Sequence, residues 1–273
     1  QVSAVKHAVA PYCYRCPLKL SYPECGVACA EDVDELIRTT TTGQVAGILV
    51  EPIMGVGGFI TPPEEYFKIV AEIVRNYGGV FISDEVQTGF GRTGKRWGIE
   101  HYGVEPDMIT VAKGIANGMP LAAVVTTQEI ASTLTKNTIS TFGGSPVSCA
   151  AANATIDIIE RDNLKDNSAE MGKILRDGLE GLKEKFPKVI GEVRGKGLMQ
   201  GIELVKNETT GDRTPNVAAA DQLMEETKKR GLFIGRGGLY GNSMRISPPL
   251  VITKAEVEEA VSIMDDSFKA MDV

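Results

Sequence analysis

Two charged residues stand where a charge is costly. Asp84 follows the apolar run Val80–Ser83, and Lys113 follows Met108–Ala112. A charge at the end of a buried strand needs a partner or a task. In an open parallel sheet, the carboxyl edge of the strands is also where ligands sit. Lys113 lies between Ala112 and Gly114, so small neighbours leave its amine approachable. Such a pair suits acid–base work or a lysine nucleophile. Position alone leaves a plainer alternative open, in which Asp84 and Lys113 pair with each other or with loop groups.

Other patterns carry less. Gly89–Gly94 (GFGRTG) fits G-x-G-x-x-G after a strand, but no apolar helix opens at its third glycine. Asp107 precedes the next strand instead of ending it, and Arg96 stands where a P-loop needs Ser or Thr, so a nucleotide site is disfavoured. A glycine loop packed against neighbouring backbone accounts for the same residues. Cys13, Cys16, Cys25 and Cys29 are spaced C-x2-C-x8-C-x3-C, with Cys149 apart. Free thiols are the leading reading, ahead of a thiolate zinc site or a disulfide. With only His7 and His101, a histidine-built metal centre is disfavoured, and no metal is expected.

The elements that must position Asp84 and Lys113 follow from periodicity. The spacing predicts a helix over Ala30–Thr41, a strand over Gln44–Val50, and a helix capped by Thr61 with Pro62 at its start. Strands at Val80–Ser83, Met108–Ala112 and Leu121–Thr126 are fully apolar, which indicates a parallel sheet covered by helices. Beyond Pro146 the pattern changes. Helices are expected over Pro146–Arg161, Asn167–Lys185, Asn216–Arg230 and Thr253–Met271, with strands at Val189–Arg194, Leu198–Leu204, Leu232–Ile234 and Met244–Ile246. That is a compact α+β unit, and the boundary is placed near residue 160. The chain has 273 residues, 42% of them hydrophobic, enough for a large core without disulfide or metal staples. Its net charge of −7 disfavours nucleic-acid and membrane-surface partners, and no apolar run is long enough to span a bilayer.

Several stretches together resemble the class III, pyridoxal-phosphate-dependent aminotransferases. They are Ser83–Gly94 (SDEVQTGFGRTG), Thr110–Gly114 with Gly118–Pro120, Glu51–Ile53, Ser140–Pro146 and Met244–Pro249, in that family's order. The loop Cys13–Pro17, Arg194–Met199 and Ile234–Gly237 look most like the alanine–glyoxylate branch. The resemblance implies an α/β fold, the PLP-dependent transferase fold of type I. Residues 1–160 would be an incomplete large cofactor-binding domain with a mostly parallel sheet, and 161–273 a C-terminal α+β small domain. Lys113 would hold pyridoxal 5'-phosphate as a Schiff base and then serve as general base. Asp84 would pair with the pyridinium nitrogen, Val86 would pack on one ring face, and Gln87 would lie near the phenolic oxygen. Ser140 and Thr141 would reach the phosphate of the partner subunit, making a homodimer. Arg245 would bind a substrate carboxylate through two parallel hydrogen bonds.

The implied reaction is transamination between a small amino acid, such as alanine, and glyoxylate or pyruvate, in the cytoplasm. A mutase, decarboxylase or epimerase on the same scaffold, or a non-catalytic thiol or zinc-binding fragment, are the alternatives. Two departures from the family stand out. Its N-terminal part, with a phosphate-holding glycine loop and a ring-stacking aromatic, has no counterpart here, so the chain is expected to be truncated. Val56 occupies the place of a glutamate that neutralises the arginine in ω-amine branches.

Overall fold

The structure is a computed structural model, and it describes residues 4–271. By contacts the chain divides into two compact units. Among the described residues, one contains 4–52, 62–90 and 97–159; the other contains 53–61, 91–96 and 160–271.

The first unit opens with α1 (Ala28–Thr40), β1 (Gly47–Val50), α2 (Tyr66–Asn76), β2 (Val80–Asp84), β3 (Met108–Val111) and β4 (Ala123–Thr126). A short α3 (Gln128–Ala131) and the long α4 (Pro146–Arg161) follow, the last residues of α4 belonging to the second unit. The sheet order is β1-β2-β3-β4. β1, β2 and β3 run parallel, as their apolar character predicts, whereas β4 is antiparallel to β3. The link from β3 to β4 is short, too short for the crossover that a parallel neighbour needs. Phe67, Val70 and Val74 of α2 pack with Phe81 of β2 and Val33 and Ile37 of α1. Phe67 meets Tyr102 edge to face at 4.7 Å between ring centroids, and Phe81 at 6.2 Å.

The expected start of α2 at Thr61–Pro62 is corrected. Pro63 disfavours helical geometry at Pro62, so the helix opens only at Tyr66. Thr61 donates its hydroxyl to the Phe59 carbonyl and caps nothing.

The second unit comprises α5 (Leu164–Lys185), β5 (Ile190–Lys196), β6 (Met199–Asn207), β7 (Asp212–Pro215), α6 (Val217–Lys229), β8 (Gly235–Gly237), β9 (Ser243–Ile246) and α7 (Lys254–Lys269). The order β5-β6-β9-β8 is antiparallel throughout, and β7 adds to β6. Leu175, Leu179 and Leu182 of α5, Leu223 of α6 and Met264 and Phe268 of α7 cover one face of this sheet. Asn216 accepts from the Ala219 amide, and Thr253 and Glu256 form a reciprocal capping box. The strand expected at Leu232–Ile234 lies instead at Gly235–Gly237. The chain leaves α6 through Gly231 in a left-handed conformation, and ladder pairing with β9 begins only at Gly235.

Candidate active site

β2 and β3 bring the two charged residues to one edge. Asp84 lies opposite Thr110 in the parallel register, and the Thr110 carbonyl accepts from the Glu85 amide at 2.9 Å. Lys113 comes three residues after Thr110, in the turn that follows β3. Its φ of 49° places it in the left-handed region, unusual for a residue with a side chain. Lys113 is exposed, and no hydrogen bond or ion pair engages its amine among the described residues. A Cβ added to the adjacent Gly114, or to Gly118, would meet nothing within 4 Å. The amine therefore projects from a turn with open space beside it. α4 packs close by, with Ala152 against Val111, Ile115 and Ala116.

Asp84 is half-buried, and its Oδ1 accepts from the Val86 amide at 3.1 Å. Val86 and Gln87 are half-buried in the same turn. Ser140 and Thr141 are exposed, in a segment where Phe142 is 86% exposed. The structure thus places Asp84, Val86, Gln87 and Lys113 at the carboxyl edges of adjacent strands. Ser140 and Thr141 lie on an exposed stretch before α4.

The second unit holds Arg245, on β9. Its Nη2 donates to the Arg236 carbonyl at 3.4 Å, and its guanidinium carbon lies 5.8 Å from the centre of the Phe59 ring. The Nε is buried without a hydrogen-bond partner, and no carboxylate pairs with the guanidinium among the described residues. Val56 is exposed and brings no charge to this loop.

Three groups were missed by the sequence reading. Glu85 is fully buried, and its carboxylate accepts from Ser83 Oγ (3.0 Å), Thr88 Oγ1 (2.5 Å) and the amides of Gly98 (2.7 Å) and Ile99 (2.9 Å). It ties the turn after Asp84 to the segment 97–99. The signal was its place beside Asp84, just past an apolar run. Arg92 donates to the Leu198 and Pro248 carbonyls, anchoring the chain just past Arg245, and burial pushes its guanidinium pKa down. Arg194, 4% exposed, donates to Glu192, Glu203, Ser243 and the Gly58 carbonyl.

The glycine motif acts as backbone contact. A Cβ on Gly197 would sit 2.3 Å from the Thr93 carbonyl carbon, and one on Gly94 would sit 3.0 Å from Ala169. No disulfide joins any of the cysteines, and no cluster of three or more metal-type ligands occurs, among the described residues.

A family model described as aminotransferase class-III matches residues 3–268. The chain is 44% identical over 270 residues to alanine–glyoxylate aminotransferase 2 homolog 2, mitochondrial, of Arabidopsis thaliana; the match covers 98% of this chain and 55% of that protein. It is 42% identical over 236 residues to the human alanine–glyoxylate aminotransferase 2, mitochondrial, covering 85% of this chain and 46% of that one. The crystal structure of an amine transaminase from an uncultivated Pseudomonas species, in its PLP-bound form, superposes with a TM-score of 0.86 at 35% identity, over 96% of this chain and 60% of that one. The chain spans about half the length of the curated relatives it matches.

Proposed function

We propose transamination for this chain, which belongs to the class III aminotransferase family: transfer of an amino group from a small amino acid such as alanine to glyoxylate or pyruvate. The observation that carries the proposal is the placement of Asp84 and Lys113 at the carboxyl ends of adjacent parallel strands. The family's cofactor, pyridoxal phosphate, fits what stands there. The Lys113 amine is uncommitted among the described residues, with open space beside Gly114, and Asp84 has one oxygen engaged by its own turn.

When bound, pyridoxal phosphate supplies a sink for the electron pair left by the substrate Cα–H bond. Lys113 would hold the cofactor and then take the Cα proton at its Nζ. The Asp84 carboxylate would hold a proton on the pyridine nitrogen. Val86 would cover one ring face, and Gln87 would lie near the phenolic oxygen. Arg245 would bind the substrate α-carboxylate through its paired N–H groups.

Residues 1–160 are proposed as the cofactor-binding domain and 161–273 as the small domain. Ser140 and Thr141 would serve the partner subunit's phosphate in a homodimer. Their exposure beside Ile139 and Phe142 supports that placement. A cytoplasmic location is proposed, and cysteines without a disulfide among the described residues support it, because they suit a reducing compartment. The two curated relatives above carry "mitochondrial" in their names, so cell fractionation decides between the two compartments.

The test uses the complete protein. Borohydride reduction and peptide mapping should place the cofactor on Lys113, and a label on another lysine rejects the assignment. Alanine should be favoured over 4-aminobutyrate in kcat/KM. An amine without an α-carboxylate leaves the Arg245 charge unpaired, at several kcal/mol, about 2–5. A preference for 4-aminobutyrate overturns the specificity.

A further inference from the structure

Arg245 owes its position to two residues that have no direct part in the proposed chemistry. One is Phe59, 4% exposed, with its ring 5.8 Å from the guanidinium carbon. The other is Gly237 on β8. A Cβ there would fall 2.5 Å from Arg245 Nε and 2.9 Å from its Cδ, so only a glycine leaves room for this side chain as it lies. Between them they hold a guanidinium that makes one long bond, to the Arg236 carbonyl, and no ion pair among the described residues. An aromatic face attracts a cation without neutralising it, whereas a carboxylate in the same place would consume the charge.

Phe59 is itself held. Its φ of 59° is left-handed, and its amide donates to the Met54 carbonyl at 2.9 Å. The preceding Gly58 carbonyl accepts from Arg194 Nε at 2.8 Å, and the Val56 carbonyl accepts from the Gly238 amide at 3.1 Å. Arg194 also donates to Ser243 Oγ, two residues before Arg245 on the same strand. One buried guanidinium therefore ties the loop that carries the ring to the strand that carries the second guanidinium.

We propose that Phe59 and Gly237 are positioning residues that fix the Arg245 guanidinium for a carboxylate-bearing substrate, with Arg194 holding the platform. This rests on the reading of Arg245 given above, and the experiment separates the two. In the complete enzyme, KM for alanine, kcat, and the inhibition constant of propionate, which carries only the carboxylate, are measured for wild type, Phe59→Leu, Gly237→Ala and Arg245→Ala. Phe59→Leu removes the ring face and keeps a buried apolar group. Gly237→Ala, at ordinary φ, displaces only the flexible end of Arg245, so it decides the matter if Phe59→Leu does not fold. The expectation is a rise of about fivefold in both KM and the propionate constant for each, with kcat kept within about twofold. Gly237→Ala should add nothing on the Arg245→Ala background. If Arg245→Ala raises both constants while Phe59→Leu and Gly237→Ala leave them unchanged, the platform is overturned and the role of Arg245 stands. If Arg245→Ala itself leaves them unchanged, the carboxylate-binding role of Arg245 fails and the platform fails with it. A fall in kcat with KM unchanged in Gly237→Ala also overturns the platform.

Discussion

Arg194, on β5 in the second unit, and Lys113, just past β3 in the first, are two cations in opposite surroundings. Arg194 is buried, and its nitrogens reach Glu192, Glu203, Ser243 and the Gly58 carbonyl. Lys113 is exposed on a left-handed turn, and no described group engages its amine. A satisfied buried charge resists change, because any new bond must break an existing one. An uncommitted amine is available to react. Partnering thus separates the committed cation from the available one, although both sit near glycines in motifs shared with the same family.

The sharpest way to break this comparison is Lys113→Ala. In the complete protein, turnover should fall by about 10²–10⁴, with thermal stability within about 0.5 kcal/mol of wild type. A stability loss comparable with that of a core substitution would show that Lys113 has a structural partner.

Arg194→Met should lower stability by about 3–5 kcal/mol, read by denaturant unfolding. It leaves Glu203 buried without its guanidinium. Burial already pushes that carboxyl up to about 7 from 4.5, partly opposed by the Asn242 amide. A carboxyl raised on folding binds more protons in the folded state. Its contribution is fully present below about 4.5 and is lost as pH rises through about 7. The deficit of the variant should therefore be smaller near pH 5 than near pH 8, and a pH-independent deficit would remove Glu203 from the account.

Glu85→Gln probes a buried charge in the first unit that is satisfied as fully as Arg194 is. An amide cannot accept all four donors, so about 1–3 kcal/mol should be lost on unfolding, with cofactor affinity reduced because the turn after Asp84 loosens. The smallest effect is expected at Val125 of β4, which is 54% exposed. Val125→Thr should change the stability of this chain by less than about 0.5 kcal/mol while reducing its self-association in light scattering. A larger loss of stability would mean that this face is already covered within the chain.

Much of the fold was legible in periodicity. The helix at Pro146–Arg161 follows from local chemistry alone. The antiparallel sense of β4 was not legible, because an apolar run reads the same in either direction. The start of α2 was obscured by two prolines that favour a helix N-terminus but not each other. The Asp84–Lys113 edge was readable because both charges end apolar runs. The Phe59–Gly237–Arg194 arrangement was not, because it depends on contacts such as Arg194 to Gly58, 136 residues apart.

That separation bears on how the molecule assembles. The second unit is built from one continuous stretch and two short excursions of earlier chain, 53–61 and 91–96. Those excursions supply the Gly58 carbonyl to Arg194 and the Arg92 guanidinium to Leu198 and Pro248. During synthesis both segments emerge long before the strands that receive them, and each must stay available until β5, β6 and β9 exist. A gene cut at residue 160 would then deliver a sheet and three helices with a buried arginine lacking one acceptor and a proline loop lacking its anchor. The two units are separable as clusters of contacts, but not as lengths of chain.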